Sequence, residues 1–381
     1  VARLVNVFLR GGADGLSLLV PIADPAYRTA RPTQAIAAGA VLDVGLDGFG
    51  LHPAATRLAE RFRSGSVAAV PAAGFDGQTR SHFEAQARLE TGAAPSGAPP
   101  SGWLGRLLAR GQGELPAPWR GVAVGAVSVP PSLWGTGDAL GAPAPDALRL
   151  GALRPAARLG GYAVVDSPAA PELDALGTDW GAAAGLPPGV GLGARAAVEV
   201  VERLRTTQLP TPDPRAFGEG EAAAAFAAAS ALLDADWGTE VVQIDLGGWD
   251  THDAQGTVDG TFAGLVAGLD AGLGALMDRH AGSDGLVVTV ITEFGRRLRE
   301  NASRGTDHGR GGLALVLGDG VSGGLRGTWP GLAELDEGDV RAVNDLRALQ
   351  AEVVAHVAGL SGGDLDAVVP RPGGSAPLGL F

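Results

Sequence analysis

Arg3-Leu-Val-Asn-Val-Phe-Leu9 runs directly into Arg10-Gly-Gly-Ala-Asp14-Gly15. The apolar run reads as a buried strand, and the glycine-rich turn after it ends in an acid. A strand that delivers a polar loop at its carboxyl end is an α/β opening, and α/β sites form outside such ends. The same order recurs. A strand at 67–72 precedes Thr79-Arg80-Ser81-His82 and a helix to about residue 90. Residues 240–246 read as a strand entering Gly247-Gly-Trp-Asp250-Thr-His252, with a helix at about 258–280 beyond it. Residues 286–292 form the most apolar strand and end at Glu293-Phe-Gly-Arg296. Gly305-Thr-Asp307-His308-Gly-Arg310 leads into a strand at 313–317. Further helices are expected over 53–64, 219–235 and 343–359. Strands alternating with helices imply a mostly parallel sheet.

One stretch breaks this order. Residues 92–103 are rich in Gly, Pro, Ser and Ala and read as a linker. From there to about 215 prolines interrupt every pattern except a helical one at 193–206. The expectation is a single α/β domain over 1–381 with 92–215 as an insertion or cap of short helices and strands.

Composition sets outer limits. With 381 residues, 45% of them hydrophobic, the chain can bury a large core. A net charge of −13 repels a phosphate backbone, so nucleic acid is not an expected partner. All 29 basic residues are arginine, which grips oxyanions with a planar fork, although a GC-rich genome produces the same bias. The absence of cysteine excludes disulfides, thiolate metal sites and a cysteine nucleophile. No run of 18 apolar residues occurs, so no transmembrane segment is expected. The chain opens Val1-Ala2-Arg3 without an initiating Met, so the expectation is that something was removed from the N-terminus, by processing or by the design of the expressed chain, with a signal peptide as one candidate.

Asp14, Ser81-His82, Asp250 with His252, Glu293 and Asp307-His308 all follow a strand or a glycine turn. In a parallel sheet their loops share one edge and can converge. Carboxylates with imidazoles suit Zn²⁺ or Mn²⁺; with more oxygen ligands, Mg²⁺ or Ca²⁺. Each residue also has a plainer reading. Asp14 can stabilise its turn, Ser81 and Asp250 can cap helices, and Glu293 can pair with an arginine.

Taken together, Arg10-Gly-Gly-Ala-Asp14-Gly15, Ser81-His-Phe83, Gly247-Gly-Trp-Asp-Thr-His252, Thr292-Glu-Phe-Gly-Arg296 and Thr306-Asp-His-Gly309 resemble the bacterial family called domain of unknown function 1501. The resemblance runs nearly end to end and is weakest across 92–215. It implies an alkaline-phosphatase-like three-layer α/β/α sandwich and, in many members, export by the twin-arginine route to the periplasm or beyond. The wider superfamily pattern implies metal ligands at Asp14, Asp250, His252, Glu293 and His308, with Asp307 as a substitute, for one or two divalent ions. It implies Ser81 as the nucleophile toward a small-molecule or polymeric phosphate ester, less readily a sulfate ester. His82 is either a supporting or a substrate-binding group, and Arg296 or Arg310 would clamp the oxyanion. Phe294 departs from the pattern, since it stands where a ligand histidine is expected and a phenyl ring cannot ligate. The alternative is a non-catalytic, metal-stabilised binding or surface protein that keeps the fold.

Overall fold

The structure is a computed structural model that describes residues 3–75, 77, 79–92, 101–110, 120–125, 129–135, 139–142, 212–235, 237–281, 285–371 and 376–381. The strands are β1 (Arg3–Leu9), β2 (Leu19–Val20), β3 (Gly50–Leu51), β4 (Val67–Gly74), β5 (Gly121–Val124), β6 (Ala139–Ala142), β7 (Val241–Leu246), β8 (Leu286–Thr292), β9 (Arg296–Glu300), β10 (Thr306–His308), β11 (Gly312–Gly318), β12 (Gly324–Leu325) and β13 (Asn344–Asp345). The central sheet runs β12-β4-β11-β8-β1-β7-β5-β6, with β13 also on β4. Its pairings are parallel except those of β11, which is antiparallel to both β8 and β4. The expected mostly parallel sheet is therefore present.

Register puts the loops at one level. Leu9 pairs with Leu246 on one side and Thr292 on the other. The chain thus leaves the sheet at Arg10, Gly247 and Glu293 side by side. Gly312 pairs with Ala73, so β11 enters the sheet where β4 leaves it. That brings the loop carrying His308 to the same edge as the one carrying Ser81 and His82.

Alternation along β1 sends side chains to opposite faces. Val5, Val7 and Leu9 face a core shared with helices Thr56–Arg63, Gly220–Asp234 and Thr261–Arg279. Leu4 and Phe8 face a second core shared with helices His82–Thr91, Trp103–Arg110, Leu346–Ala358 and Gly362–Val368. Helix Thr261–Arg279 is long and apolar enough to cross a membrane by length and composition. Phe262, Val266, Leu269, Leu273 and Leu276 are nevertheless buried in the first core, the signature of a core helix.

The stretch expected as an insertion is partly built into the domain. Helix Trp103–Arg110 lines the second core, and β5 and β6 extend the sheet beyond β7. Their four-residue lengths carry too little pattern to separate a strand from a proline-broken loop. The helix expected at 193–206 and most of the linker at 92–103 lie outside the described residues.

Candidate metal centre

Three histidines, at the start of helix His82–Thr91, in the loop after β7 and at the end of β10, turn their rings toward Asp250. One ligand atom from each of His82, Asp250 and His308 lies within 4.8 Å of the others. His252 joins them, with Nε2 2.8 Å from His308 Nε2 and 3.1 Å from Asp250 Oδ1. Asp250 Oδ1 is also 3.1 Å from His308 Nε2, and its Oδ2 is 3.5 Å from His82 Nε2.

The far side of each ring meets an oxygen. His82 Nδ1 is 2.9 Å from Glu293 Oε1, His308 Nδ1 is 2.9 Å from the Arg80 carbonyl, and His252 Nδ1 is 3.3 Å from Asp307 Oδ1. A carbonyl only accepts, as does an ionised carboxylate, so each Nδ1 must carry the proton to make its bond. A neutral ring is then left with a lone pair on Nε2, aimed at the cluster. Burial, with Arg296 and His82 nearby, holds His308 below its ordinary value against the pull of Asp250 and the Arg80 carbonyl; this ring is neutral at pH 7. The Nε2 atoms of His252 and His308 stand 2.8 Å apart beside Asp250, an approach that needs a proton or a cation between them.

The spacing fits a cation. Four ligands at about 2.0–2.1 Å from a tetrahedral ion stand roughly 3.3 Å from one another. Four of the six separations among His82, Asp250, His252 and His308, at 2.8, 3.1, 3.1 and 3.5 Å, bracket that figure, while the set whose ligand atoms all lie within 4.8 Å of one another is His82, Asp250 and His308. The cluster is also open: the side chains of Asp250 and His252 are 46% and 41% exposed.

The acids expected as ligands divide into two roles. Glu293 is fully buried and stands behind His82. Its Oε1 accepts the Gly11 N–H at 2.8 Å and Gln86 Nε2 at 3.0 Å, and its Oε2 accepts the Thr292 hydroxyl at 3.1 Å. Burial would raise this carboxyl; the bonds from Gln86, its own N–H, His82 and Gly11 outweigh burial and hold it low, hence ionised. Asp307 stands behind His252 and is held below its ordinary value by Asn301 first and then by His252, against a smaller push from burial. Asp250 faces the cluster. Burial pushes it up, but Arg296 and the histidines bring it down to about 2.

Asp14 is elsewhere. Its carboxylate is fully buried and paired through both oxygens with Arg31, at 2.6 and 3.0 Å. Ser17 Oγ and Gln255 Nε2 complete its shell at 2.7 and 2.8 Å. Gln255 Oε1 in turn accepts the hydroxyls of Thr251 and Thr306, the neighbours of His252 and of Asp307-His308. Asp14 therefore anchors two histidine-bearing loops from behind instead of facing the cluster.

Arg296 does not present a free fork to a substrate. It is fully buried and donates to the carbonyls of Gly11, Gly12, Trp249 and Thr306 as well as to Asp250 Oδ1 at 2.6 Å. Arg310 grips Asp336 and, at 2.9 Å, Glu337. Ser81 is exposed at the N-cap of the helix that begins with His82, and its side chain makes no capping bond. Among the described residues nothing bonds its hydroxyl. Phe294 is buried beneath the cluster, its ring centroid 4.9 Å from that of His82 and 4.7 Å from that of His308. Gly12 is obligatory beside it: φ is +73°, and an added Cβ would stand 2.3 Å from Phe294 Cε2.

His82 lies outside the ligand set expected from the sequence, although His82 and Gln86 at i, i+4 on a helix share a face, and both reach Glu293. The sequence offered no signal for Arg31 or Gln255.

Residues 191–357 match the family model described as protein of unknown function (DUF1501). This stretch carries Asp250, His252, Glu293, Asp307 and His308 and supports the resemblance drawn from the motifs. Asp14, Ser81 and His82 lie outside it. No curated protein matches the chain. One solved structure, described as "Crystal structure of Ps i-CgsB in complex with k-i-k-neocarrahexaose", is 11% identical with a TM-score of 0.38, covering 96% of this chain and 74% of that one.

Proposed function

We propose that the protein is a metal-dependent hydrolase of phosphate esters, less readily of sulfate esters, with one divalent ion held by His82, His252, His308 and Asp250. The observation that carries this reading is the convergence of three Nε2 atoms on Asp250, each ring fixed from behind at Nδ1. Such outer partners orient metal-binding histidines and fix their tautomers. Three imidazoles to one carboxylate favour Zn²⁺ or Mn²⁺ over Mg²⁺ or Ca²⁺, which prefer all-oxygen sets. A bound ion supplies Lewis-acid polarisation of an ester oxygen and acidifies a nearby hydroxyl.

The chain's own residues account for the rest of the proposed reaction. Ser81, one residue from His82, offers a hydroxyl that makes no capping bond and no bond among the described residues. Its Oγ bonds to phosphorus as the ester P–O bond breaks, and its proton leaves with the alcohol. Water then cleaves the phosphoseryl ester and restores the hydroxyl. Free N–H groups in the first turn of helix His82–Thr91 favour the anionic group. The finer fold reading, an alkaline-phosphatase-like three-layer sandwich, draws support from the helices on both sheet faces, and export belongs to the same reading through the family resemblance.

Metal analysis of the purified protein should find about one equivalent of a transition metal or zinc, and His308→Ala should lose it. Turnover of a phosphate mono- and diester panel should fall sharply in Ser81→Ala. A metal-replete protein that turns over neither phosphate nor sulfate esters would instead be the non-catalytic binding protein. One observation favours that second reading: Arg296 and Arg310, the expected oxyanion clamps, are both committed to protein partners.

A further inference from the structure

His82 and His252 are held from behind by carboxylates, whereas His308 is held by a backbone carbonyl, that of Arg80. A carbonyl is only as well placed as its chain segment. Among residues 77 and 79–81, few bonds to other described residues reach outside the segment. The Gly77 carbonyl accepts from Arg88 of the following helix, and the Ser81 carbonyl begins that helix's ladder. The Arg80 side chain supplies the long-range tie. Its Nε and Nη2 both donate to Asp339 Oδ2, at 2.8 and 2.6 Å, and Glu337 lies 3.5 Å away.

Asp339 is fully buried, an expensive place for a carboxylate serving only as surface decoration. Arg297 Nε approaches its Oδ1 at 3.6 Å and Arg310 Nε its Oδ2 at 3.9 Å, both beyond hydrogen-bond range. Arg80 is thus the arginine it bonds. Arg310, two residues past His308, is gripped by Asp336 and Glu337 of the same acidic loop. The loop therefore straps down both His308's own strand and the segment that bonds His308 from behind.

We propose that Asp339 is a positioning residue for the metal centre: through Arg80 it places the carbonyl that keeps the proton of His308 on Nδ1 and leaves Nε2 free to ligate. The affinity part of this proposal rests on the metal reading; the tautomer part does not.

The experiment is nitrogen-15 NMR of the histidine rings in the full-length, metal-free protein, with Zn²⁺ titration by chelator competition, on parent, Asp339→Asn and Arg80→Gln. In the parent His308 is expected as the Nδ1–H tautomer. In either variant it should become a tautomer mixture, with Zn²⁺ affinity about 10–100-fold lower. His82, held independently by Glu293, should keep its parent signature. Arg80 is partly exposed, so Arg80→Gln provides a folded test should Asp339→Asn fail to fold. A folded variant with a lowered Tm but an unchanged His308 tautomer would overturn the proposal, since a purely structural role predicts that result. A parent that binds no Zn²⁺ would sink the metal reading instead, leaving the tautomer comparison to judge Asp339.

Discussion

Glu293 Oε1 lies 2.9 Å from His82 Nδ1, in a carboxylate that is wholly buried while the histidine is partly exposed. The pair joins the end of β8 to the start of helix His82–Thr91 across 211 residues of sequence. It makes Glu293 the support of a candidate ligand instead of a member of the cluster.

Replacing Glu293 with Gln keeps the volume but removes the charge and offers one acceptor oxygen where two were used. The oxygen facing His82 then accepts without a charge, and its hold on the Nδ1–H form weakens. Metal affinity should fall about 10–100-fold, the usual cost of losing such a partner. Chelator competition with Zn²⁺ reads this directly; parent-like affinity in Glu293→Gln would mean that His82 does not ligate.

Asp14 and Arg31 form an ion pair in which both side chains are 0% exposed. Asp14→Asn should destabilise the fold by about 3–5 kcal/mol, because a buried guanidinium loses its counter-charge. Burial pushes the Asp14 carboxyl up, but Arg31, Ser17 and Gln255 outweigh it and hold the carboxyl below its ordinary 3.8. A folded-state value below the unfolded one gives stability that is complete above about pH 4 and is lost as pH falls toward the folded value. The parent's Tm should therefore drop more steeply below pH 4 than that of Asp14→Asn. Parallel Tm curves would show that Asp14 is not ionised in the fold.

Gly11 has φ +123°, and an added Cβ would stand 2.4 Å from the Asp250 backbone nitrogen. Gly11→Ala should cost about 1–3 kcal/mol in backbone strain alone and should displace the loop bearing Asp250. Gly39 has open space around it and serves as the control, with Gly39→Ala expected within about 0.5 kcal/mol of the parent. Urea denaturation of the two variants distinguishes a crowded turn from a general aversion to alanine.

Arg296 reaches four carbonyls and one carboxylate from a buried position. Lysine has three donors on a point charge and cannot span them. Arg296→Lys should lose at least about 1–3 kcal/mol for each acceptor left buried and unbonded. It should also raise Asp250 from about 2, since Arg296 contributes most to lowering it against burial. Carbon-13 NMR titration of the Asp250 carboxyl measures the second effect, and an unmoved midpoint would contradict the assigned cause.

Much of the sheet was legible. The expected strands at 3–9 and 286–292 coincide with β1 and β8, because a continuous apolar run bounded by polar turns is a local signal. The expected helix at 258–280 begins later, at Thr261: the preceding turn closes through the Phe262 N–H to the Gln255 carbonyl, and Gly260 sits at φ +90°. Short strands were expected in the stretch that holds β5 and β6, but their positions and their place in the central sheet were not legible, since these come from pairing beside β7.

Apolar runs and glycine turns are properties of neighbouring residues, and by themselves they determined an α/β sheet with Asp250, His252, Glu293 and His308 on loops at one edge. The tertiary structure decided what each group does there. An ionisable side chain takes its role from its partner, and the partners are distant: Glu293 lies 211 residues from His82, Arg80 lies 228 from His308, and Gln255 lies 241 from Asp14. Those approaches turned Asp14 from a candidate ligand into a buried anchor and Glu293 into a support. They also brought His82, which the sequence offers only as a supporting or substrate-binding group, into the candidate metal centre.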